Sequence, residues 1–287
     1  MNKTDIINII NKAKNILSNE PQLIKLNNPN KAIIVIGDLH SDYESLDIII
    51  KKYHNKENIL VFVGDYVDRA VNLGDSIKTI IKLLELKIND SHNIMLLRGN
   101  HEFDIMNKKY GFHEEIKKLY DESLIKNWSE LFSLLPLSLL IDNSTFIAHA
   151  GIPEVDNLDE INKIKKGLQY EQNVLLDQLV WNDFSTTIDD RSNSLRGVKN
   201  SFIGGKTYFE KKTRELGIKN FIRGHQPNLK GYTFNKRCVT LQTCRRYTEY
   251  PKEEKEGLIA VKGVIIAKIN KAKPNIEIID IFSGKNE

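Results

Sequence analysis

The fold of this chain is decided by ENILVFVGDYVDRA, residues 57–70, in which a run of apolar residues ends in glycine and a motif with two aspartates. Two similar runs, KAIIVIG at 31–37 and HNIMLLRG at 92–99, lie on either side and are followed by Asp or Asn. The stretches between the runs, from about 42 to 52 and from about 73 to 86, have apolar residues at helical spacing. This pattern predicts a β-α-β-α-β unit whose parallel strands are covered on both faces.

Helices and short strands are predicted on both sides of this unit. Apolar residues at helical spacing predict an N-terminal helix at about 4–18, with Thr4 as its N-cap. A helical stretch is expected from about Glu102 to Leu134, and two short strand-like runs, LSLLID and TFIAHAG, follow it.

The second half of the chain is more mixed. Residues 156–200 are polar and are interpreted as helices and loops, and a helix ended by Gly217 follows them. Four or five strand-like runs come next, and the charged run KEEKE at 252–256 is expected to be a solvated hairpin loop between strands. We expect a single domain over residues 1–287, with no domain appended to it.

Composition excludes several classes of protein. With 40% hydrophobic and 28% charged residues, 16 Gly and 7 Pro, the chain is neither collagenous nor broadly disordered. Its 42 Lys and Arg against 38 Asp and Glu give a net charge of +4, which is too small to indicate a nucleic acid partner. The longest apolar stretch, at 131–141, is about half a membrane span. We therefore expect neither a nucleic acid nor a membrane as a partner.

Cysteine usage and the N-terminus favour a cytoplasmic location. Cys238 and Cys244 do not form a C-x-x-C motif and are too few for a disulfide framework. The N-terminal segment has charges among its isoleucines and lacks the continuous apolar core of a secretion signal. The abundance of Lys, Ile and Asn indicates an AT-rich genome, that of a prokaryote or an archaeon.

Five short motifs lie at the ends of predicted strands. They are Gly-Asp-Leu-His (37–40), Gly-Asp-Tyr-Val-Asp-Arg (64–69), Leu-Arg-Gly-Asn-His-Glu (97–102), Ala-His-Ala-Gly (148–151) and Arg-Gly-His-Gln (223–226). Each motif alone also fits a structural role, as a helix cap, a turn or a buried histidine. Five strand ends that all carry Asp, Asn or His have no joint structural explanation, whereas a metal site needs these ligand types at one place.

With these motifs the sequence resembles the PPP family of protein serine/threonine phosphatases, a branch of the dinuclear metallophosphoesterases. The motifs of that family are GDxHG, GDxVDRG, GNHE, HGG and RAHQ. The similarity continues between the motifs, in NKKYGFHEEIKKLY (107–120) and LFSLLPLSLLIDNSTF (131–146), and reaches about Phe282. The resemblance implies an α/β chain with the calcineurin-like metallophosphoesterase fold, a central β-sandwich of mixed sheets flanked by helices.

The resemblance also implies a pair of divalent metal ions. Transferred residue by residue, the ligands are Asp38 and His40 for the first metal, Asn100, His149 and His225 for the second, and Asp65 bridging both. Oxygen and imidazole ligands without thiolate suit Mn, Fe or Zn, of which we expect Mn. Two divalent cations and two carboxylates leave a charge of about +2, which attracts a phosphate dianion and acidifies a bridging water to give the attacking hydroxide.

Catalytic roles are likewise implied by the resemblance. His101 matches the general acid that protonates the leaving group, and Asp68 the carboxylate that orients its imidazole. Arg69 and Arg196 match two arginines that hold phosphoryl oxygens, and Tyr247 matches an active-site tyrosine.

Four other residues lie in matching segments. A structural role is favoured for Arg98 and left open for Arg223. We interpret Trp181 and Asp183, in VWNDF, as scaffold.

This chain departs from the family motifs at several positions. Ser41, Ala70 and Ala150 stand where the family has glycine, and Gly224 stands where it has alanine. None of these changes removes a ligand, although each adds or removes a small group near the metals.

A further departure is the segment Cys244-Arg245-Arg246-Tyr247-Thr248, where eukaryotic members usually have Ala-Pro-Asn-Tyr-Cys. Its two arginines predict either a basic rim that favours acidic residues around the phosphorylated site, or solvated arginines on a hairpin.

The function expected from these observations is a metal-dependent phosphoprotein phosphatase acting on phosphoserine and phosphothreonine monoesters, with phosphoproteins as its partners. One alternative keeps the metals but hydrolyses a dinucleoside polyphosphate or a phosphodiester. A further alternative is a phosphoprotein-binding module without activity, although pseudoenzymes usually lose ligands or the acid and all of these residues are present here.

Overall fold

The computed structural model describes residues 1–27, 29–270 and 275–283. Its helices are α1 (Lys3–Leu17), α2 (Tyr43–Tyr53), α3 (Asp75–Asn89), α4 (Asp104–Tyr110), α5 (Phe112–Leu119), α6 (Ser123–Phe132), α7 (Val174–Trp181) and α8 (Lys206–Glu215). Short 3-10 turns lie at Asn100–Glu102, Leu158–Lys163, Pro227–Leu229 and Arg245–Tyr247.

The strands form two large mixed sheets and one small sheet. They are β1 (Leu23–Leu26), β2 (Ala32–Ile36), β3 (Asn58–Phe62), β4 (Ile94–Leu96), β5 (Ser138–Ile141), β6 (Thr145–Ala148), β7 (Asp183–Phe184), β8 (Arg191–Asn193), β9 (Phe202–Gly204), β10 (Asn220–Arg223), β11 (Gly231–Thr233), β12 (Cys238–Thr240), β13 (Ile259–Ala260), β14 (Ile265–Ile269) and β15 (Ile276–Asp280). The five-stranded sheet has the order β15-β14-β2-β3-β4, the seven-stranded sheet the order β1-β5-β6-β10-β12-β11-β13, and the small sheet the order β7-β9-β8. Since β2, β3 and β4 are parallel, the predicted β-α-β-α-β unit is confirmed.

Both faces of the five-stranded sheet are buried, as β2 illustrates. Ile33 and Val35 point into the core between the two large sheets, whereas Ile34 and Ile36 pack in the core formed with α1, α2 and α3. On the other side of the sandwich, α7 and α8 cover the seven-stranded sheet. The result is a central β-sandwich of mixed sheets flanked by helices, which is the fold class that the resemblance implied.

Side-chain caps set the first residues of two helices. The helix α1 begins one residue earlier than expected, because the side chain of Asn2 accepts a hydrogen bond from the backbone N–H of Asp5 at 2.9 Å. The carboxylate of Asp5 accepts in return from the backbone N–H of Asn2, so the N-cap is Asn2 and not Thr4. Asp42 caps α2 in the same way through the N–H of Ser45, at 3.2 Å.

Several sequence expectations were wrong in detail. The stretch from Glu102 to Leu134 is three helices, because Gly111 adopts φ = +114° between α4 and α5 and a turn separates α5 from α6. The strand β1 was not predicted, and the polar segment 156–200 contributes two strands of the small sheet. The run 252–256 lies in a loop, but its flanking strands β12 and β13 both pair with β11 and not with each other, so it is no hairpin.

The turns that follow β2, β3 and β4 pack directly against one another. The backbone N–H groups of Leu39 and His40 both donate to the carbonyl of Asp65, at 3.1 and 2.9 Å. A Cβ on Gly64, where φ is +112°, would lie 2.3 Å from the backbone nitrogen of Gly99, so only glycine permits this approach. The ends of three neighbouring strands are thereby held at one edge of the sheet, where α/β proteins place their ligands.

Among the described residues, no helix combines the length and the apolar character that are needed to cross a membrane. The apolar stretch at 131–141 ends α6 and continues into β5, both of which are buried in the core.

The cost of adding a Cβ at the close approach of Gly64 can be measured separately from the cost of its positive φ. Gly111 has a similar φ of +114°, but nothing among the described residues lies within 4 Å of a Cβ placed there. We expect Gly111→Ala to lower the free energy of unfolding by about 1–2 kcal/mol, the cost of a left-handed alanine. Gly64→Ala should cost at least about 3 kcal/mol because the two turns must also separate. Equal losses in urea denaturation would contradict the proposed packing of these turns.

Candidate metal centre

All six expected metal ligands lie at one edge of the β-sandwich. They follow the carboxyl ends of β2, β3, β4, β6 and β10. The structure buries all of them, with exposed fractions of 1% for Asp38, 6% for His40, 2% for Asp65, 3% for Asn100, 0% for His149 and 6% for His225. Five motifs that are far apart in sequence therefore converge on one buried site.

Asp65 lies at the centre of this group. One carboxylate oxygen is 3.4 Å from Nε2 of His149, and the other is 3.6 Å from Nε2 of His40. Two sets of side chains have their ligand atoms within 4.8 Å of one another, and Asp65 belongs to both. One set adds Asp38 and His149, and the other adds His40 and His101. Asp65 is therefore placed where it could bridge two cations, but these sets group Asp38 with His149 and His40 with His101, whereas the resemblance implied Asp38 with His40 for one ion.

Three polar atoms meet beside Asn100. Nδ1 of His149 lies 3.1 Å from the carbonyl of Val63, to which it donates, so its Nε2 carries a free lone pair. That Nε2 lies 2.9 Å from Oδ1 of Asn100 and 3.2 Å from Nδ1 of His225. The last two atoms are 3.0 Å apart. With the proton of His225 on Nε2 all three atoms are acceptors, an arrangement that a cation between them would stabilise, whereas a proton on Nδ1 would form ordinary hydrogen bonds.

The histidines have the protonation state that a metal needs. Burial, as the largest cause, lowers the pKa of His40, His149 and His225 well below the usual range. Their imidazoles are therefore neutral at physiological pH, which is the form that binds metals.

Among the described residues no lysine or arginine forms an ion pair with Asp38 or Asp65, although the charge of Arg69 lowers the pKa of both to a lesser extent than burial raises it. Burial raises the pKa of Asp38 to about 6 and that of Asp65 well above its usual range, and the neighbouring Asp38 and Glu102 raise the pKa of Asp65 further. A divalent cation would offset this cost, since it favours the ionised carboxylates. Oxygen and imidazole donors together fit divalent transition metals, so the residues present fit a dinuclear metal centre.

A second layer of hydrogen bonds holds Asp38. Its carboxylate accepts from the backbone N–H of His225 at 3.0 Å and from the side-chain amide of Gln242 at 2.8 Å. A Cβ on Gly224 would lie only 2.0 Å from this carboxylate, so glycine in place of the family's alanine makes room for it. Such outer hydrogen bonds fix the orientation of metal-binding groups.

Glu102, for which the sequence predicted no role, connects the second motif to the third by hydrogen bonds. Its buried carboxylate accepts from the backbone N–H groups of Asp65 at 2.8 Å, Tyr66 at 2.9 Å and Gly99 at 2.9 Å. Three N–H donors stabilise the turns that carry the bridging aspartate. The position of Glu102, directly after Asn100 and His101 in the third motif, is the feature of the sequence that points to this role.

His101 and Asp68 form a buried pair next to the centre. Nδ1 of His101 lies 2.8 Å from the carboxylate of Asp68, which also accepts from the N–H of Phe112 at 3.0 Å and from Asn107 at 3.2 Å. The amide of Asn107 also donates to the carbonyl of His101 at 2.6 Å. The structure therefore brings the two residues together as the resemblance implied, and Asn107, which no motif indicated, supports both.

Arg69 and Tyr247 complete this side of the site. Nη1 of Arg69 donates to the hydroxyl of Tyr247, and Nη2 lies 3.2 Å from Nε2 of His101. The ring of Tyr247 packs edge-on against the ring of His40, with centroids 6.0 Å apart. The guanidinium therefore lies between the expected acid and the expected tyrosine, next to a ligand of the metal centre.

Arg196 reaches the site through Asp183. Its Nε and Nη2 donate to the two carboxylate oxygens at 2.6 and 2.7 Å, a bidentate ion pair. One of these oxygens is 3.6 Å from Nε2 of His225, and the ring of Trp181 packs edge-on against the same histidine. Asp183 and Trp181 thus contact residues of the centre from outside the ligand cluster, which is compatible with their interpretation as scaffold.

Arg98 and Arg223 are structural. Both are buried, and both donate to backbone carbonyls, Arg98 to those of Glu102 and Leu168 and Arg223 to that of Asn182. Arg98 also packs on the ring of its neighbour Phe103. Both guanidiniums hold loops together behind the metal centre.

The rim carried by Arg245 and Arg246 is partly neutralised. The backbone N–H of Arg245 donates to Asp42 at 2.8 Å, and its guanidinium forms ion pairs with Asp42 and Glu44. Arg246 donates to the backbone carbonyl of Arg69 at 3.0 Å. Two carboxylates therefore balance Arg245, both arginines are exposed as the second interpretation expected, and the segment is a 3-10 turn and not a hairpin.

The serine in the first motif connects that motif to the second. Ser41 adopts φ = +66°, and its hydroxyl donates to the carbonyl of Asp68 at 3.0 Å. This bond compensates for part of the conformational cost of replacing glycine. Ala150 is fully buried and Ala70 half-buried, and neither adds a polar contact to the metal centre.

The comparisons with known proteins agree with this fold. A family model described as calcineurin-like phosphoesterase matches residues 31–245. A solved protein serine/threonine phosphatase from Saccharomyces cerevisiae, with similarity to human phosphatase PP5, is 23% identical with a TM-score of 0.82, over 100% of this chain and 92% of that chain. The cold-active protein-tyrosine phosphatase of a psychrophile, Shewanella sp., is 16% identical with a TM-score of 0.53, over 93% and 84% of the two chains.

At these identities the solved structures show a shared fold. The family model is more specific, because its match contains all five motifs completely. Since it also spans well over half of the chain, the chain belongs to the calcineurin-like phosphoesterase family.

Proposed function

We propose that this protein is a metal-dependent phosphatase of the PPP branch that hydrolyses phosphoserine and phosphothreonine in proteins. The observation that carries the proposal is the His101–Asp68 pair, 2.8 Å apart, next to the ligand cluster. The alkoxide of serine or threonine is a poor leaving group and needs a proton, which such a pair can supply.

We propose two metal positions, following the ligands that the resemblance implies. Asp38, His40 and Asp65 would hold one ion, and Asp65 with Asn100, His149 and His225 would hold the other. When bound, two divalent cations, for which we propose manganese, supply positive charge for the phosphate and a nucleophile from water at neutral pH.

The arginines would bind the phosphoryl oxygens. Arg69 has its guanidinium beside Tyr247 and His101, and a substrate phosphate would exchange these contacts for charge-assisted hydrogen bonds. Arg196 is held by both oxygens of Asp183 and keeps its Nη1 free for another acceptor. Their planar donor groups suit an oxyanion whose charge grows during the reaction.

His101 would provide the proton from Nε2 when both of its ring nitrogens are protonated. Asp68 accepts from Nδ1, and in the structure Arg69 donates to Nε2, so the imidazole is neutral, in agreement with the lowering of its pKa by burial and by Arg69. A substrate phosphate that takes Arg69 as its partner would leave Nε2 open to protonation. Asn107 and the N–H of Phe112 fix the carboxylate, which keeps the ring in one orientation. The proton passes from Nε2 to the serine or threonine oxygen as the phosphorus–oxygen bond breaks.

An open groove beside the centre is compatible with a protein substrate. A cavity of about 720 Å³ extends from His40 and Arg69 past Asp42, Glu44 and Lys78. Residues on one side of a phosphorylated serine could lie there. The similar yeast structure is that of a protein serine/threonine phosphatase, which supports the same substrate class.

The acid role of His101 predicts a dependence on the leaving group. His101→Asn should lower kcat/KM for a phosphoserine peptide by about 10²–10⁴-fold, but for an aryl phosphate by less than about tenfold, because an aryl oxide hardly needs protonation. The control is His54→Asn, since His54 also pairs with a carboxylate, Asp90, at 3.2 Å but lies in the loop before β3, away from the site. Equal losses on both substrates would contradict the acid role.

The wild-type substrate panel tests the class itself. Manganese-loaded protein should release phosphate from phosphoserine and phosphothreonine peptides. Faster turnover of phosphotyrosine, or hydrolysis of a dinucleoside tetraphosphate with no release from phosphopeptides, would replace the proposed substrate class. Tight binding of phosphopeptides without turnover would instead indicate a binding module.

The two-ion arrangement predicts metal content without reference to activity. Wild-type protein dialysed after manganese loading should retain about two ions per chain, and His40→Ala and His149→Ala about one each, because the two histidines lie on different ions. Elemental analysis measures this, and circular dichroism checks that each variant is folded. One ion in the wild type, or two ions in both variants, would contradict the assignment.

The partly neutralised rim predicts little preference for flanking charge. Wild-type kcat/KM for acidic and basic phosphoserine peptides at low salt should agree within about threefold. Glu44→Gln removes one of the two carboxylates that balance Arg245, and it should shift the preference towards acidic peptides. A wild type that prefers acidic peptides more than about tenfold would contradict this neutralisation.

A further inference from the structure

Lys230 is a buried lysine that the metal centre does not use. It directly follows the 3-10 turn Pro227–Leu229 and precedes β11, and its exposed fraction is 0%. Burial lowers the pKa of its ammonium to about 8. A buried charge costs free energy unless every donor is satisfied, so its surroundings have to account for it.

The surroundings of Lys230 are three backbone carbonyls. Its Nζ donates to the carbonyl oxygens of Tyr247 at 2.6 Å, Thr248 at 3.0 Å and Gly263 at 2.8 Å. An ammonium group has three N–H bonds, so these three acceptors satisfy it completely. Among the described residues no carboxylate lies within ion-pair distance of Nζ. The ammonium group therefore binds only backbone carbonyls.

The backbone that it fixes carries Tyr247. The first two carbonyls belong to the end of the turn Arg245–Tyr247, and the third belongs to the loop before β14. From the same turn the side chain of Tyr247 extends to Arg69, whose Nη1 donates to its hydroxyl. Lys230 therefore binds the backbone carbonyl of Tyr247, the residue whose hydroxyl contacts the guanidinium of Arg69 beside His101.

We propose that Lys230 is a positioning residue that fixes Tyr247 and, through it, the guanidinium of Arg69. This inference rests on the phosphatase function proposed above, since it assigns Lys230 to the part of that site that binds phosphate oxygens. Without the ammonium, the backbone bond from the N–H of Gly263 to the carbonyl of Thr248, at 3.0 Å, still joins the two segments. The carbonyl of Tyr247, however, loses its bond to Lys230, so Tyr247 holds Arg69 less firmly in one orientation. Phosphate binding weakens as a result, whereas the proton transfer from His101 is not directly affected.

The test is a double-mutant cycle of Lys230→Met and Tyr247→Phe in the full, manganese-loaded chain. The readouts are kcat/KM for an aryl phosphate, which hardly needs His101, and the affinity for inorganic phosphate by calorimetry. Each single variant should lower both by about tenfold, and adding Tyr247→Phe to Lys230→Met should lower them further by less than about twofold. Two changes that act on one contact are not additive, whereas independent structural effects are.

Lys87→Met is the matched control. Lys87 is also 0% exposed, and its Nζ donates to the carbonyls of Ser91 and Ile94, at the end of the sheet away from the metal centre. Unlike Lys230 it also forms an ion pair with Glu20, whose loss destabilises the fold. Lys87→Met should therefore lower the free energy of unfolding at least as much as Lys230→Met does, but its affinity for phosphate should stay within about twofold of that of the wild type. If Lys230→Met does not fold, Lys230→Gln, which keeps two N–H donors, takes its place in the cycle with a smaller expected loss.

The outcomes separate this inference from the proposed function. Effects of Lys230→Met and Tyr247→Phe that multiply, or wild-type phosphate affinity in the folded Lys230 variant, would overturn the positioning role. A wild type that binds phosphate but hydrolyses no phosphomonoester would contradict the proposed function, and the calorimetric cycle would still decide the role of Lys230.

Discussion

The structure depends on the convergence of buried electron-pair donors around Asp65. Two carboxylates, an amide oxygen and three neutral imidazoles are held at one edge of a sandwich, where water cannot solvate them. Isolated from a cation, this arrangement is unfavourable, because buried carboxylates cost free energy. Two features hold the backbone in place despite this cost. Glycines allow the turns to touch, and the carboxylate of Glu102 accepts hydrogen bonds from three backbone N–H groups of these turns.

The same constraint explains how the neighbouring residues are arranged. Several of the ligands are oriented by a second group, Asp38 by Gln242 and His149 by the carbonyl of Val63, as expected for metal ligands whose geometry is fixed before the metal binds. The pair His101 and Asp68 is supported by Asn107, and Tyr247 by Lys230. Positively charged side chains near the centre are mostly engaged with carboxylates or carbonyls, so the charge that is available to a phosphate is local and not a property of the whole surface.

Residue patterns were sufficient for the parts of this arrangement that are local in sequence. Buried apolar runs predicted β2, β3 and β4, and the Asp, Asn and His residues after them predicted where the ligands would meet, because parallel strands share one carboxyl edge. The individual roles came from the resemblance to a family and not from periodicity or spacing.

What the sequence could not indicate depends on contacts between distant segments. Lys230 and Tyr247 are 17 residues apart, and nothing in the run around Lys230 marks it as the donor to that turn. Arg245 looked like free positive charge because its partners, Asp42 and Glu44, lie about 200 residues earlier. The short strands β1, β7 and β8 depend on partners in other elements, and their two to four residues carry no periodic signal.

The central claim is that two metal ions lie on either side of Asp65 while His101 remains unbound to metal. Anomalous diffraction at the manganese edge from crystals of the manganese-loaded protein tests this most directly. The account predicts two peaks that share Asp65, one next to Asp38 and His40 and the other next to Asn100, His149 and His225. A single peak, or a peak within bonding distance of a ring nitrogen of His101, would contradict it, since an imidazole bound to a metal cannot serve as the acid.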